Sequence, residues 1–127
     1  MATLDAAAGA FFSALDSLGM TSQVTLFTES EFNRTANANA NLGTDHAWGG
    51  HHLVLGGAVR GGQTYGTFPQ HQLSGPDDAG DRGNWIPTTA LDQYAATLGS
   101  WFGVPDADLE RILPNLRNFP ARNLGFV

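Results

Sequence analysis

The run Val24-Thr25-Leu26-Phe27-Thr28, with the segment before it, predicts the fold class of this 127-residue chain. Valine, threonine and phenylalanine favour extended backbone, so the run is typical of a buried β-strand. Upstream, the segment from Thr3 to Leu18 carries apolar residues at helical spacing, with Thr3 as the expected N-cap and Gly19 as the expected stop. A helix that leads into such a strand predicts a layered α/β fold.

Glycine pairs organise the middle of the chain. Leu53-Val54-Leu55 and a returning segment from Thr64 to Phe68 are predicted to form a β-hairpin that turns at Gly61-Gly62. The polar repeat from Thr35 to Asn41 and the segment 69–85, which is rich in Pro, Gly and Asp, are predicted to be exposed loops.

Two further helices are predicted near the C-terminal end. Thr89 is the expected N-cap of the first, with Asp92 completing a variant of the capping box, and Gly103 is its expected stop. The second helix is expected from Asp106 to Ile112, since Pro114 follows it.

The composition narrows the possible functions. A hydrophobic content of 42% in 127 residues indicates one globular domain. The net charge of −6 argues against a duplex nucleic-acid binder, and no apolar stretch has the length of a membrane span. All six basic residues are arginines and there is no cysteine, so Schiff-base lysines, the Walker P-loop and thiol chemistry are excluded. No secretory signal is recognisable in the chain.

Three of the four histidines lie within the segment Thr44-Asp45-His46-Ala47-Trp48-Gly49-Gly50-His51-His52. Imidazoles and carboxylates bind borderline metals and transfer protons near neutral pH, which makes Asp45, His46 and His51 candidate site residues. His52 is expected to point away from His51 if the backbone is extended. The alternative is a glycine turn in which the rings pack on Trp48 and serve only the fold.

Charged residues also follow the predicted strand. Glu31 is a candidate metal ligand or general base, and Arg34 is a candidate clamp for an oxyanion. A simple Glu31–Arg34 surface pair is the alternative. The group Asp77, Asp78, Asp81 and Arg82 is interpreted as a solvated acidic turn, because its spacing does not fit an EF-hand; His71 is interpreted as a surface residue.

Several blocks of the sequence resemble the C-terminal part of the DUF1501 family, an uncharacterised bacterial family whose members are typically exported by the twin-arginine route. The main blocks run from Val24 to Thr35, from Thr44 to Ala58 and from Tyr65 to Pro69. Further similarity lies in the blocks Ile86-Pro-Thr-Thr89, Asp92-Gln-Tyr-Ala95, Trp101-Phe-Gly103 and Pro114-Asn-Leu116. Within that family, Asn33 and Ala47 stand where glycine is usual.

The family resembles a branch of the alkaline phosphatase and sulfatase superfamily. This resemblance implies an α/β/α sandwich and hydrolysis of phosphate or sulfate esters at bound divalent metal, with zinc, manganese and calcium as candidates. By the same resemblance, Glu31, Asp45 and His46 are expected to bind metal, whereas Arg34 and His51 are expected to contact a small anionic ester. Phe32 stands where sulfatases carry a metal-ligand histidine.

Members of the family are several times longer, so residues 1–127 are expected to form a single partial domain without the half that carries the nucleophile. The resemblance therefore implies a hydrolase fragment that is inactive alone, in a periplasmic or exported parent protein. The alternative is a non-catalytic binding or assembly module. The expected partners are the remainder of the parent domain or a self-associating copy, because missing sheet neighbours leave a strand edge exposed.

Overall fold

The computed structural model describes residues 1–127 and shows a mixed α/β chain with three helices and two small antiparallel sheets. The helices are α1 (Ala2–Ser17), α2 (Leu91–Phe102) and α3 (Asp106–Ile112). The strands are β1 (Thr25–Phe27), β2 (Asn33–Arg34), β3 (His46–Ala47) and β4 (Val54–Gly56). Short 3₁₀ segments lie at Thr21–Gln23 and Pro114–Asn118.

The three predicted helices are confirmed, but both predicted N-caps are wrong. Helix α1 already begins at Ala2, with no side chain capping it, so Thr3 lies inside the helix. Helix α2 begins one residue after Ala90, whose N–H donates to Oε1 of Gln93 at 3.0 Å. The N-terminus of α2 is therefore one residue later than predicted, and Gln93 makes the side-chain contact that was predicted for Asp92.

Strand β4 pairs with β1, so the predicted hairpin is wrong. The antiparallel register is Thr25↔Gly56, Leu26↔Leu55 and Phe27↔Val54. A Cβ on Gly57 would lie 2.8 Å from the carbonyl oxygen of Thr21. Gly57 therefore permits close approach to the segment before β1, and the residues after Gly61-Gly62 do not return as a strand paired with β4.

The β1 strand is also less buried than its sequence predicts. It belongs to a two-stranded sheet, and the Phe27 side chain is 46% exposed. A two-stranded sheet has few neighbours to cover its faces, so a β-rich run can remain partly exposed.

The main apolar core lies among the C-terminal helices. Ala96 of α2, Leu109 of α3 and Leu116 of the following 3₁₀ segment form its buried centre. The C-terminal tail is hydrogen-bonded to α2, because the Thr97 hydroxyl oxygen accepts the Leu124 N–H at 2.8 Å. None of the three helices has the length and apolarity that a membrane crossing requires.

Replacing Leu116 by alanine should lower the free energy of unfolding by about 2–5 kcal/mol, the range for emptying a core leucine site. Leu116 is only 1% exposed, whereas Leu42, a matched control, is 92% exposed. Urea unfolding of both alanine variants measures the two effects. An effect at Leu116 no larger than that at Leu42 would contradict this location of the core.

Candidate functional site

Strands β2 and β3 form a short ribbon that brings two predicted site residues together. Its register pairs Asn33 with Ala47 and Arg34 with His46. Side chains alternate between the two faces of a strand, and directly paired residues share a face. Arg34 and His46 therefore lie side by side, and Phe32, two residues before Arg34, lies on the same face. We call Phe32, Arg34 and His46 the outer face of the ribbon.

The three side chains of the outer face contact one another. The His46 ring stacks on Phe32 with a centroid separation of 3.7 Å, and the Arg34 guanidinium carbon lies 5.2 Å from the Phe32 ring centre. Nη1 of Arg34 also donates to the Thr44 carbonyl oxygen at 3.0 Å. The three salt bridges of the structure do not include Arg34, so the alternative Glu31–Arg34 pair is not formed. The outer face thus presents a guanidinium without a carboxylate partner.

The opposite face of the ribbon packs against the loop that ends at Trp85. Ala47 is buried, and the Asn33 side-chain amide donates to the Gly49 carbonyl oxygen. The Gly49 N–H donates to the Trp85 carbonyl oxygen at 2.8 Å. A Cβ on Gly49 would lie 2.6 Å from that same oxygen, so only glycine allows this contact.

The Asp78 carboxylate organises this loop. It accepts the N–H groups of Ser74, Gly83 and Asn84 at 3.1, 3.0 and 2.9 Å. Burial by itself raises the pKa of Asp78, but the backbone N–H donors, led by Gly83, outweigh it and hold the pKa below its ordinary value. The interpretation of this segment as a solvated acidic turn is therefore wrong at Asp78, whose carboxylate is buried and bonded.

The predicted metal ligands are not gathered into one site. The Asp45 carboxylate is bonded to Arg82 at 2.8 Å and to the Asn39 side-chain amide at 2.8 Å. Glu31 is exposed, and His46 stacks on Phe32. No three His, Asp or Glu side chains of the chain are grouped so that they could hold a metal ion.

His51 lies in a second group of rings, which we call the histidine cluster: His51, Phe68, His71 and Trp85. The His51 ring stacks on Phe68 at 4.5 Å and meets His71 edge-on at 5.6 Å. The His71 ring in turn stacks on Trp85 at 4.7 Å. The sequence interpretation of His71 as an isolated surface residue missed this grouping, and only the nearby Phe68 offered any local signal.

His51 and His52 contact different partners, as predicted for the case of an extended backbone. The His52 ring stacks on Tyr94 at 5.5 Å, away from the cluster. Trp48 is 64% exposed, so the alternative in which the imidazoles pack on Trp48 is wrong; their stacking partners are Phe32, Phe68 and Tyr94.

Two pKa values are shifted around these rings. Burial lowers the pKa of His51, and the positive charges of protonated His71 and His52 lower it further. Neutral His51 is therefore favoured near neutral pH. Burial, with a contribution from Glu29, raises the pKa of Tyr94 to about 12, so its hydroxyl stays protonated and donates to the Thr28 carbonyl oxygen at 3.1 Å.

These features define a mixed α/β chain in which a ribbon with an exposed guanidinium lies beside two imidazoles that stack on Phe68 and Trp85. The chain belongs to the DUF1501 family, described as proteins of unknown function, whose sequence profile matches residues 1–79. The matched range includes the ribbon and three of the four cluster residues. No curated protein and no solved structure matches the chain.

Replacing Asp78 by asparagine should lower the thermal unfolding midpoint at neutral pH, because an amide cannot accept all three N–H groups as a carboxylate does. The native pKa is depressed, so the stabilisation is present above the unfolded-state pKa and is lost as the pH falls through the native value. Melting curves recorded from neutral to acidic pH should therefore converge for wild type and Asp78→Asn. Asp81→Asn, an exposed change in the same loop, is the control; equal effects of both substitutions would contradict the role of Asp78.

Replacing His71 by glutamine should raise the pKa of His51, since one neighbouring positive charge is removed. The value should still stay below the ordinary one, because burial is the larger cause. An NMR titration of the imidazole resonances measures the shift. His46→Gln, a change outside the cluster, should leave His51 unaffected, and an unchanged His51 pKa in His71→Gln would contradict the assignment.

Proposed function

We propose that this chain supplies the oxyanion-binding side of a phosphate or sulfate ester hydrolase-like domain and does not hydrolyse esters by itself. The observation that supports the proposal is the register of the ribbon, which pairs Arg34 with His46 on one exposed face. These residues are twelve positions apart in the sequence, yet they are placed side by side without an acidic partner for Arg34.

The chemistry of the outer face suits a small anionic ester. A guanidinium offers parallel N–H donors that match two oxygens of a phosphate or sulfate group. The imidazole of His46 adds an N–H donor next to it. Phe32 contacts both groups, which limits their freedom before an anion binds.

The other expected site residues fit this proposal less directly. Zinc, manganese or calcium bound by Glu31, Asp45 and His46 would need further ligands from outside this chain, because Asp45 is already bonded to Arg82 and no group of three ligands is formed. His51 does not suit the role of a substrate-contacting cation near neutral pH, since burial and the neighbouring imidazoles lower its pKa.

A larger sulfatase-like α/β/α sandwich and an exported parent protein belong to the same proposal. The two-stranded β1–β4 sheet would then be one part of a wider sheet, and the remainder of the parent domain would provide the nucleophile. The anion would be held by this chain, whereas bond cleavage would depend on groups from the rest of that domain.

The second candidate function is a non-catalytic binding or assembly module. Large apolar side chains left open by the fold favour it, among them Phe102 at 82% exposure and Phe27 at 46%. Such a module would associate with the remainder of the parent domain or with a second copy of the chain.

The oxyanion proposal is tested by titrating the chain with inorganic phosphate, sulfate and phenyl phosphate while backbone NMR shifts are followed. Shifts should be concentrated on β2 and β3, and Arg34→Ala or His46→Ala should each weaken binding by about tenfold or more, the cost of losing a charge-assisted hydrogen bond.

The matched control is Arg117→Ala, which removes the same charge from an exposed arginine that forms no salt bridge. If Arg34→Ala and Arg117→Ala weaken anion binding equally, the effect comes from the net charge of the chain and not from a site at Arg34. Absence of any anion binding would leave the assembly module as the supported function.

A further inference from the structure

The chain exposes more surface than a compact monomer of its mass. Its accessible surface is 8412 Å² for 13.4 kDa, and only 13 of 127 residues are buried. A folded monomer of this mass exposes about 6,500 Å². The excess is about 1,900 Å² per chain; it is spread over the chain, α1 included, and exceeds the roughly 800 Å² per partner of a standard stable interface.

Part of this uncovered surface is an apolar groove between β1 and α2. It encloses a cavity of ≈ 240 Å³, and its walls are Thr25, Phe27, Leu98, Gly99, Trp101 and Phe102. We call it the β1–α2 groove. None of these six residues is ionisable, so covering them desolvates none of the charges that give each chain its net charge of −6.

The same patch carries a projecting side chain beside the groove. Phe102, at the end of α2, is 82% exposed. A two-fold interface uses the same patch on both copies, so it needs a surface that complements itself. Phe102 lines the groove of its own copy but stays 82% exposed, so its ring can also pack into the groove of a second copy.

The backbone of β1 adds unpaired hydrogen-bonding groups at this patch. The Thr28 N–H donates to the Leu53 carbonyl oxygen, so this N–H and the backbone groups of Leu26, two residues earlier, point toward β4. Those of Thr25 and Phe27 point to the opposite edge, where no strand pairs with them. The hydroxyl oxygen of Thr25 is buried and has no hydrogen-bond partner.

We propose that the β1–α2 groove is a homodimer interface. In this dimer, β1 of one copy pairs antiparallel with β1 of the other across a two-fold axis, and each Phe102 fills the groove of its partner. The inference deepens the assembly function proposed above and names a second copy of the chain as the partner. It does not depend on the outer face of the ribbon.

The test is sedimentation equilibrium of the 127-residue chain over a hundredfold range of concentration. The expected result is a reversible species of twice 13.4 kDa. Phe102→Gln should be monomeric at concentrations where wild type is dimeric, with an unchanged circular dichroism spectrum, because a side chain this exposed contributes little to the monomer fold.

The matched control is Ile112→Gln, which makes a similar change on α3 at a residue that is 57% exposed and outside the groove. It should leave the dimer intact. Hydrogen exchange gives a second measurement: the Thr25 and Phe27 amides should be protected in wild type and exchange at least tenfold faster in Phe102→Gln.

A wild-type chain that stays at 13.4 kDa at every concentration would overturn the proposal. An association that Phe102→Gln and Ile112→Gln affect equally, or an open-ended series of oligomers, would overturn it too. Phosphate titration of Phe102→Gln separates the two proposals, because the ribbon is intact in that variant. Phosphate binding by a wild-type chain that stays monomeric would reject only the interface.

Discussion

The buried Asp78 carboxylate is the constraint on which both parts of the candidate site depend. By accepting three backbone N–H groups, it closes the loop that carries Asn84 and Trp85. Asn84 then accepts the Trp48 N–H at 2.6 Å, and the Trp85 carbonyl accepts that of Gly49, which holds the ribbon in place. The Trp85 ring supports His71 in the histidine cluster. A single charged group thus helps to position both the ribbon and the histidine cluster, because a carboxylate can accept several N–H groups at once.

The outer face of the ribbon and the histidine cluster differ in the chemistry that they offer. Arg34 and His46 form an exposed pair of donors that suits an anionic group, whereas His51 lies among rings that favour its neutral form. With Asp45 bonded to Arg82, the chain offers donors for an oxyanion but no complete set of metal ligands. These residues therefore fit the anion-binding role proposed for the chain.

The distribution of apolar groups favours association of the chain with a partner. The core of Ala96, Leu109 and Leu116 stabilises the C-terminal helices, but it does not extend to β1. A two-stranded sheet is marginal in water unless another layer covers it. Helix α1 also lacks a covering layer, since Leu15 is its only buried residue. A covering partner would remove the exposed strand edge and complete the packing of this half.

Features that depend on neighbouring residues could be predicted from the amino-acid sequence. Apolar periodicity placed all three helices, Gly103 marked the end of α2, and the sequence blocks indicated the family. The sequence also indicated Arg34 and His46 as candidate site residues, because the chemistry of a side chain does not depend on its place in the fold. The folded chain alone shows that these two are cross-strand partners, that β4 pairs with β1, and that His71 contacts His51. Local sequence patterns reflect backbone preferences, whereas these contacts depend on which distant segments pack together. The hydrogen bonds of Asp78 that hold the loop form only once the chain has folded.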